Sequence, residues 1–210
     1  LLEIQKSMGW ELSGIQRGAM MLLEEVYRNA KVVSSGKSLT TVNEFTDQIP
    51  ALRPAVLMEV AHGIIKLMDL SVTKIVTEED KGAALATAIS LLTGIPLAMA
   101  RWYSYNLGDA NEQVVDISSE YFQGKMYLNG IKAGDRVAII DDTLSTGGAV
   151  IALVEAVRAC GAELVDALCA VEKVGNHGFD NVHRSTGVSV KTLMKISVHE
   201  KGVSIIREDF

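Results

Sequence analysis

Val137-Ala138-Ile139-Ile140-Asp141-Asp142-Thr143-Leu144-Ser145-Thr146-Gly147-Gly148-Ala149 places four apolar residues ahead of two adjacent acids, a hydroxyl-rich turn and two glycines. A short uninterrupted apolar run of this kind reads as a parallel strand buried on both faces. The spacing predicts a strand over 135–142, a turn, and a helix over 148–160. In an open α/β sheet, ligands settle beyond the carboxyl ends of the strands. The turn offers successive backbone N–H groups, two of them on glycines without a Cβ, and the helix adds its amino end. Together they make an anion nest suited to a phosphate dianion. Two carboxylates would repel that phosphate, so they belong a few ångströms before it, accepting hydrogen bonds from vicinal sugar hydroxyls. The stretch therefore asks for a ribose 5-phosphate. Without Gly-Lys-Ser/Thr it is not a Walker A loop, and it is not GxGxxG either. The plainer reading is a strand that ends in an Asp-Asp helix cap.

The flanking chain alternates strands and helices. Residues 73–77 (TKIVT), 97–101 and 163–172 (ELVDALCAVE) read as strands, with 188–196 and 203–207 closing the chain. Helices are expected over 55–69, opened by Pro54, and over 81–92, ended by Gly94 and Pro96. Strands separated by such helices mean βαβ units, so the fold class is α/β: an open, mainly parallel, twisted sheet flanked by helices. Residues 8–29 carry an amphipathic helical stripe, and 31–49 are polar and Thr/Ser-rich, suggesting short strands and turns. This divides the chain into an amino-terminal helix and small hood, residues 1–50, and an α/β core, residues 51–210. Residues 102–130 have weak β character and many polar side chains.

With 210 residues, 48% of them hydrophobic, the chain can bury one substantial core, and two full domains would be a squeeze. A charged fraction of 22% and a mean hydropathy of +0.21 exclude global disorder. Net charge −6 and pI near 5.3 speak against a basic face that coats nucleic acid, though not against a local basic pocket. Aromatics at 5% disfavour a base-stacking single-strand binder. No apolar run reaches the ~18–20 residues of a membrane span, and residues 1–6 do not resemble a signal peptide. Cys160 and Cys169 have no CxxC partner or matching His pair and read as buried thiols of a reducing, cytoplasmic protein. His62 reads as a packed helical residue, and His177, His183 and His199 lack metal-ligand spacing.

The 137–149 stretch resembles the phosphoribosyl-diphosphate (PRPP) motif of the type I phosphoribosyltransferases, and the likeness runs from about Met21 to the carboxyl end. Gly124-Lys125-Met126-Tyr127-Leu128-Asn129-Gly130-Ile131 and Val171-Glu172-Lys173 make it closest to the archaeal-type hypoxanthine/guanine enzymes, then to the adenine enzymes. Residues 1–20 match nothing in that pattern. The resemblance implies transfer of phosphoribose from PRPP to a purine, with hypoxanthine or guanine favoured. Adenine, an unusual heterocycle, or a PRPP-sensing transcription regulator without catalysis are the alternatives. It implies that Asp141 and Asp142 hold the ribose, directly or through water on a Mg²⁺ ion, and that Thr143, Leu144, Ser145, Thr146, Gly147 and Gly148 hold the 5′-phosphate. A diphosphate loop would lie at Glu79, Asp80, Lys81 and Gly82, with Lys81 meeting the diphosphate and Gly82 allowing close backbone approach. Arg101 matches a basic residue at the end of the next strand, ahead of a mobile loop near 102–124. There Trp102-Tyr103-Ser104-Tyr105-Asn106 is uncharged where relatives carry lysines or arginines. Glu120 matches an acid that handles the base's proton, and Lys173 and Val174 lie near the base. A homodimer, with no membrane or nucleic-acid partner, completes the expectation.

Overall fold

The computed structural model describes residues 21–35, 38–105, 112–118 and 123–207. The quoted stretch forms β7 (Arg136–Leu144), the middle of a six-stranded sheet. β3 (Lys74–Glu78) and β4 (Leu97–Ala100) lie on one side of it. β8 (Glu163–Lys173), β9 (Lys191–His199) and β10 (Gly202–Ile206) lie on the other. The order is β10-β9-β8-β7-β3-β4, parallel except for the β9–β10 hairpin at one edge. The open, mainly parallel sheet is thus as the sequence predicts.

Strand periodicity sends alternate side chains to opposite faces. Ala138 and Ile140 of β7 join Ile75 and Leu168 under α3 (Pro54–Leu67) and α4 (Gly82–Thr93), where Val60, Ile64, Leu85 and Ile89 complete one apolar cluster. Val137 and Ile139 point the other way, to Val76, Ala167 and Cys169 under α5 (Gly148–Ala159), with Leu153 and Val157. Each fully buried Leu or Ile contributes about 1.5–3 kcal/mol of transfer free energy, so these two layers fix where the strand ends fall.

The amino-terminal elements α1 (Met21–Arg28), β1 (Lys31–Ser35), β2 (Ser38–Val42) and α2 (Glu44–Asp47) form a helix, a hairpin and a short turn of helix. Leu23, Val26, Tyr27 and Phe45 belong to the same buried cluster as α3 and α4, which anchors this cap to the core. β5 (Gln113–Ser118) and β6 (Gln123–Leu128) form a second antiparallel hairpin within the stretch of weak β character.

Several boundaries move. β7 runs two residues beyond the predicted strand because Thr143 and Leu144 still pair with Val171 and Glu172 of β8, so the acid pair lies inside the strand. The helix after Pro54 stops at Leu67 rather than Asp69, since the Asp69 N–H donates instead to the Asp166 carboxylate at 2.8 Å. β9 begins at Lys191 rather than Val188, because a 3₁₀ turn (Val174–Asn176) and α6 (Gly178–Thr186) precede it. Sequence periodicity missed that helix, although Gly187, at φ +74°, is a typical helix stop. Cys169 is buried as expected, whereas Cys160 is partly exposed; both are free thiols. No helix among the described residues is long and apolar enough to cross a membrane.

Candidate active site

A cleft of about 410 Å³ opens at the carboxyl ends of β3, β7 and β8. Part of its lining is the turn between β7 and α5. Gly147 caps α5 at φ +87°, a conformation that glycine adopts without penalty. Space imposes the same choice, since a Cβ there would come within 2.7 Å of Val182 Cγ2 and 3.0 Å of Gly178 O. Thr143, Leu144, Ser145, Thr146 and Gly148 all line the cleft beside it.

Asp141 and Asp142 line its floor and are only 3% and 4% exposed. The Asp142 N–H donates to Asp141 Oδ1 at 2.8 Å, and Thr143 Oγ1 donates to Asp142 Oδ2 at 2.7 Å. Burial pushes the Asp141 carboxyl well above the ordinary carboxylate range, helped by the charges of Asp142 and Glu78. Burial also raises Asp142, against hydrogen bonds from Thr143 and Asp141 and the Lys81 charge. The pair is a desolvated, strained set of acceptors, ready for hydroxyl donors or a cation.

Asp80 and Lys81 also line the cleft. Lys81 Nζ donates to Asp47 Oδ1 at 2.7 Å, tying this loop to the amino-terminal cap. Asp47 is itself held by the Thr46 hydroxyl at 2.6 Å and the Asn43 N–H at 3.1 Å. Burial alone would raise its carboxyl, but the bonds from Lys81, Thr46 and Asn43 win and hold it below the usual range. Gly82 begins α4, and the space at its α-carbon is already taken by the protein: a Cβ would lie 2.6 Å from Thr77 Oγ1 and 2.7 Å from Asp141 Oδ1.

The remaining wall comes from Thr40, Thr41 and Thr46 of the cap, with Lys173 and Trp102. Lys173 is 7% exposed and its ammonium donates to Thr40 Oγ1 at 2.9 Å. Val174, the first residue of the 3₁₀ turn, does not line the cleft.

Two expected residues face elsewhere. Arg101 and Glu79 line a separate cavity of about 440 Å³ along β4. Arg101 Nη2 donates to Glu112 at 2.9 Å, its guanidinium lies 3.6 Å from the centroid of the Tyr105 ring, and its backbone bridges to Tyr127. Glu79 accepts from the Trp102 N–H at 3.0 Å. The charge on Arg101 is thus answered within the protein, away from the cleft. Glu120, with residues 106–111 and 119–122 of the expected mobile loop, lies outside the described residues.

Sequence reasoning missed Glu78. It lines the cleft, its Oε2 is buried with no hydrogen-bond partner among the described residues, and burial with the Asp142 and Asp80 charges pushes its carboxyl up to about 8. Nothing local in the Glu78-Glu79-Asp80 run separates it from its neighbours; the pairing of β3 through Glu78 brings it inside. The cap threonines carried no local signal, since packing of β2 against β9 delivers them.

A glycine turn opening a helix, a buried acid pair and a lysine-bearing loop together line one cleft at the carboxyl edge of an open parallel sheet, where enzymes of this architecture hold their ligands. The chain belongs to the phosphoribosyl transferase domain family, which matches residues 46–201, and is a PRPP-dependent pentosyltransferase. It is 43% identical over 186 residues to a hypoxanthine/guanine phosphoribosyltransferase of Methanocaldococcus infernus, covering 88% of this chain and 100% of that one. The protein of the same description from Methanocaldococcus jannaschii is 41% identical, covering 89% and 100%. Among solved structures, adenine phosphoribosyltransferase from Thermoanaerobacter pseudethanolicus superposes with a TM-score of 0.67 at 20% identity, covering 82% of this chain and 99% of that chain. The Trypanosoma brucei adenine enzyme, solved with AMP, pyrophosphate and ribose-5-phosphate, gives 0.68 at 22% identity, covering 83% and 79%. At those identities the likeness shows the fold.

Proposed function

We propose that this protein transfers the 5-phosphoribosyl group of PRPP to a 6-oxopurine, hypoxanthine or guanine, releasing diphosphate. The lining of one cleft carries the reading: the turn, the acid pair and Lys81 share it, as 5′-phosphate, ribose diol and diphosphate share PRPP. The turn from Thr143 to Gly148 would bind the 5′-phosphate through N–H and hydroxyl donors. Asp141 and Asp142 would accept from the ribose hydroxyls and face the positive charge that develops at the anomeric carbon as diphosphate departs. Lys81 would neutralise the leaving group, and the cap with Trp102 would limit water at the reacting carbon.

The acid pair also fits Mg²⁺. No group of three or more His, Cys, Asp or Glu among the described residues forms a metal cage. Mg²⁺ is commonly held by one or two carboxylates with waters and substrate phosphates, and two crowded carboxylates beside a diphosphate site supply that donor set. When bound, the ion would cancel charge on the diphosphate; Asp141 and Asp142 would hold it, directly or through water.

Lys173 supports the choice of base. A lysine ammonium donates and never accepts, so it satisfies a 6-oxo group and opposes a 6-amino group, and the hypoxanthine/guanine relatives agree. Residues 1–50 would form the hood over the core, and the protein would act in the cytoplasm as a homodimer. Diphosphate release from PRPP and Mg²⁺ tests the reading, with hypoxanthine, guanine and adenine compared. The expected result is a kcat/KM at least 10²-fold higher for the oxopurines. Adenine preference would overturn the base assignment, and PRPP binding without turnover of any base would make the protein a sensor.

A further inference from the structure

We propose that Asn176 and Asn181, outside the cleft, are positioning residues that aim the phosphate nest; this rests on the cleft being the PRPP site. Asn176 closes the 3₁₀ turn that begins one residue after Lys173, and its Nδ2 donates to Ser145 Oγ at 2.6 Å. A hydroxyl has one proton and two lone pairs. With a lone pair committed to the Asn176 amide, the Ser145 proton is turned away from Asn176.

Asn181, on α6, donates through Nδ2 to Thr146 O at 3.0 Å. In a planar trans peptide the C=O and N–H point in opposite directions. Holding the Thr146 carbonyl toward α6 therefore aims the Gly147 N–H away from α6, on the cleft side. Gly178 lies against Ser145 O so closely that a Cβ would overlap it, which fixes the preceding peptide in the same sense. Three contacts from one nine-residue stretch, 173–181, thus set the orientation of the turn that receives the phosphate. The same stretch starts with Lys173, which also lines the cleft. A nest oriented before binding does not lose free energy to ordering when the phosphate arrives.

The test is titration calorimetry of ribose 5-phosphate into wild-type protein, Asn176→Ala, Ser145→Ala, the double variant and Asn181→Ala, with steady-state kinetics alongside. Each single change is expected to raise Kd and the KM for PRPP about tenfold, the size of a lost hydrogen bond to an ionised group. For Asn176→Ala and Asn181→Ala, kcat at saturating PRPP should change less than threefold. In the Ser145→Ala background, Asn176→Ala should add nothing, because its effect runs through that hydroxyl. A purely structural role would lower the active fraction, and hence kcat, while leaving Kd unchanged. Unchanged Kd in Asn176→Ala and Asn181→Ala, or full additivity in the double variant, overturns the inference. Wild-type protein that binds neither ribose 5-phosphate nor PRPP overturns the functional reading, and this inference with it.

Discussion

Replacing Gly82 with alanine tests whether the start of α4 and the middle of β7 are built around each other. The new Cβ would stand 2.6 Å from Thr77 Oγ1, 2.7 Å from Asp141 Oδ1 and 3.3 Å from the Asp141 Cα. Both oxygens would have to retreat by about 0.7–0.8 Å to reach ordinary contact. Neither has room. Thr77 is fully buried, Asp141 is 3% exposed, and β7 is hydrogen-bonded to strands on both sides. Overpacking of this kind costs about 1–3 kcal/mol. For a chain of this size each kcal/mol corresponds to ~2–4 °C, so a thermal melt should show Tm lowered by roughly 2–12 °C. The displaced carboxylate should also lower kcat on the order of 10²-fold, since an error near 1 Å at a reacting centre has that effect. Gly175→Ala is the control: nothing lies within 4 Å of its new Cβ, and both Tm and kcat should stay close to wild type. A Gly82→Ala protein with wild-type Tm and kcat would refute the packing account. One that melts early yet keeps its kcat would refute the link between Gly82 and the placement of Asp141.

Glu78→Gln should change how stability depends on pH. The Glu78 carboxyl sits near 8 in the folded protein, above its ordinary value, so the folded state holds the proton more tightly. That contribution is complete below the ordinary value and is lost as pH rises through about 8. The Tm advantage of Glu78→Gln over wild type should therefore widen from pH 5 to pH 9 in Mg²⁺-free buffer; a gap independent of pH would count against it. The Tm advantage of Asp141→Asn over wild type should grow as pH rises, because it removes a carboxyl whose ionisation is opposed by burial and by the charges of Asp142 and Glu78, yet kcat should fall on the order of 10²-fold. A Tm difference that does not grow with pH would contradict the strained-acceptor reading. Lys81→Met should raise the inhibition constant of diphosphate about tenfold or more and leave the KM for hypoxanthine unchanged. Equal losses for both ligands would move Lys81 out of the diphosphate site.

The parts of this protein that were legible in the sequence are those whose physics is local. A buried strand followed by acids, hydroxyls and glycines is one contiguous argument, and the structure keeps all of 141–148 on the cleft. The alternation that fixes the parallel sheet is likewise written in apolar runs. What failed to show were placements made by distant packing. Thr40 and Thr41 reach the site through a hairpin, Glu78 is carried inside by continued strand pairing, and Arg101 is drawn away by Glu112 and Tyr105. Gly82 was noticed for its missing Cβ, but the atoms that crowd it, on Thr77 and Asp141, are brought there by packing between separate elements. The helix at 178–186 escaped because its sequence, GFDNVHRST, buries only Gly178 and Val182.

The layout of the cleft separates two kinds of hereditary change. On the proposed reading, recognition of the sugar and its phosphate would be concentrated in eight successive residues, 141–148, whereas the rest of the wall draws on Thr40, Thr41, Trp102 and Lys173 from three remote stretches of chain. Substitutions in any one of those stretches can retune which heterocycle is accepted while the donor's grip stays intact. A lineage could thus explore new nucleobases one loop at a time, without passing through a form that has lost its common currency of activated pentose.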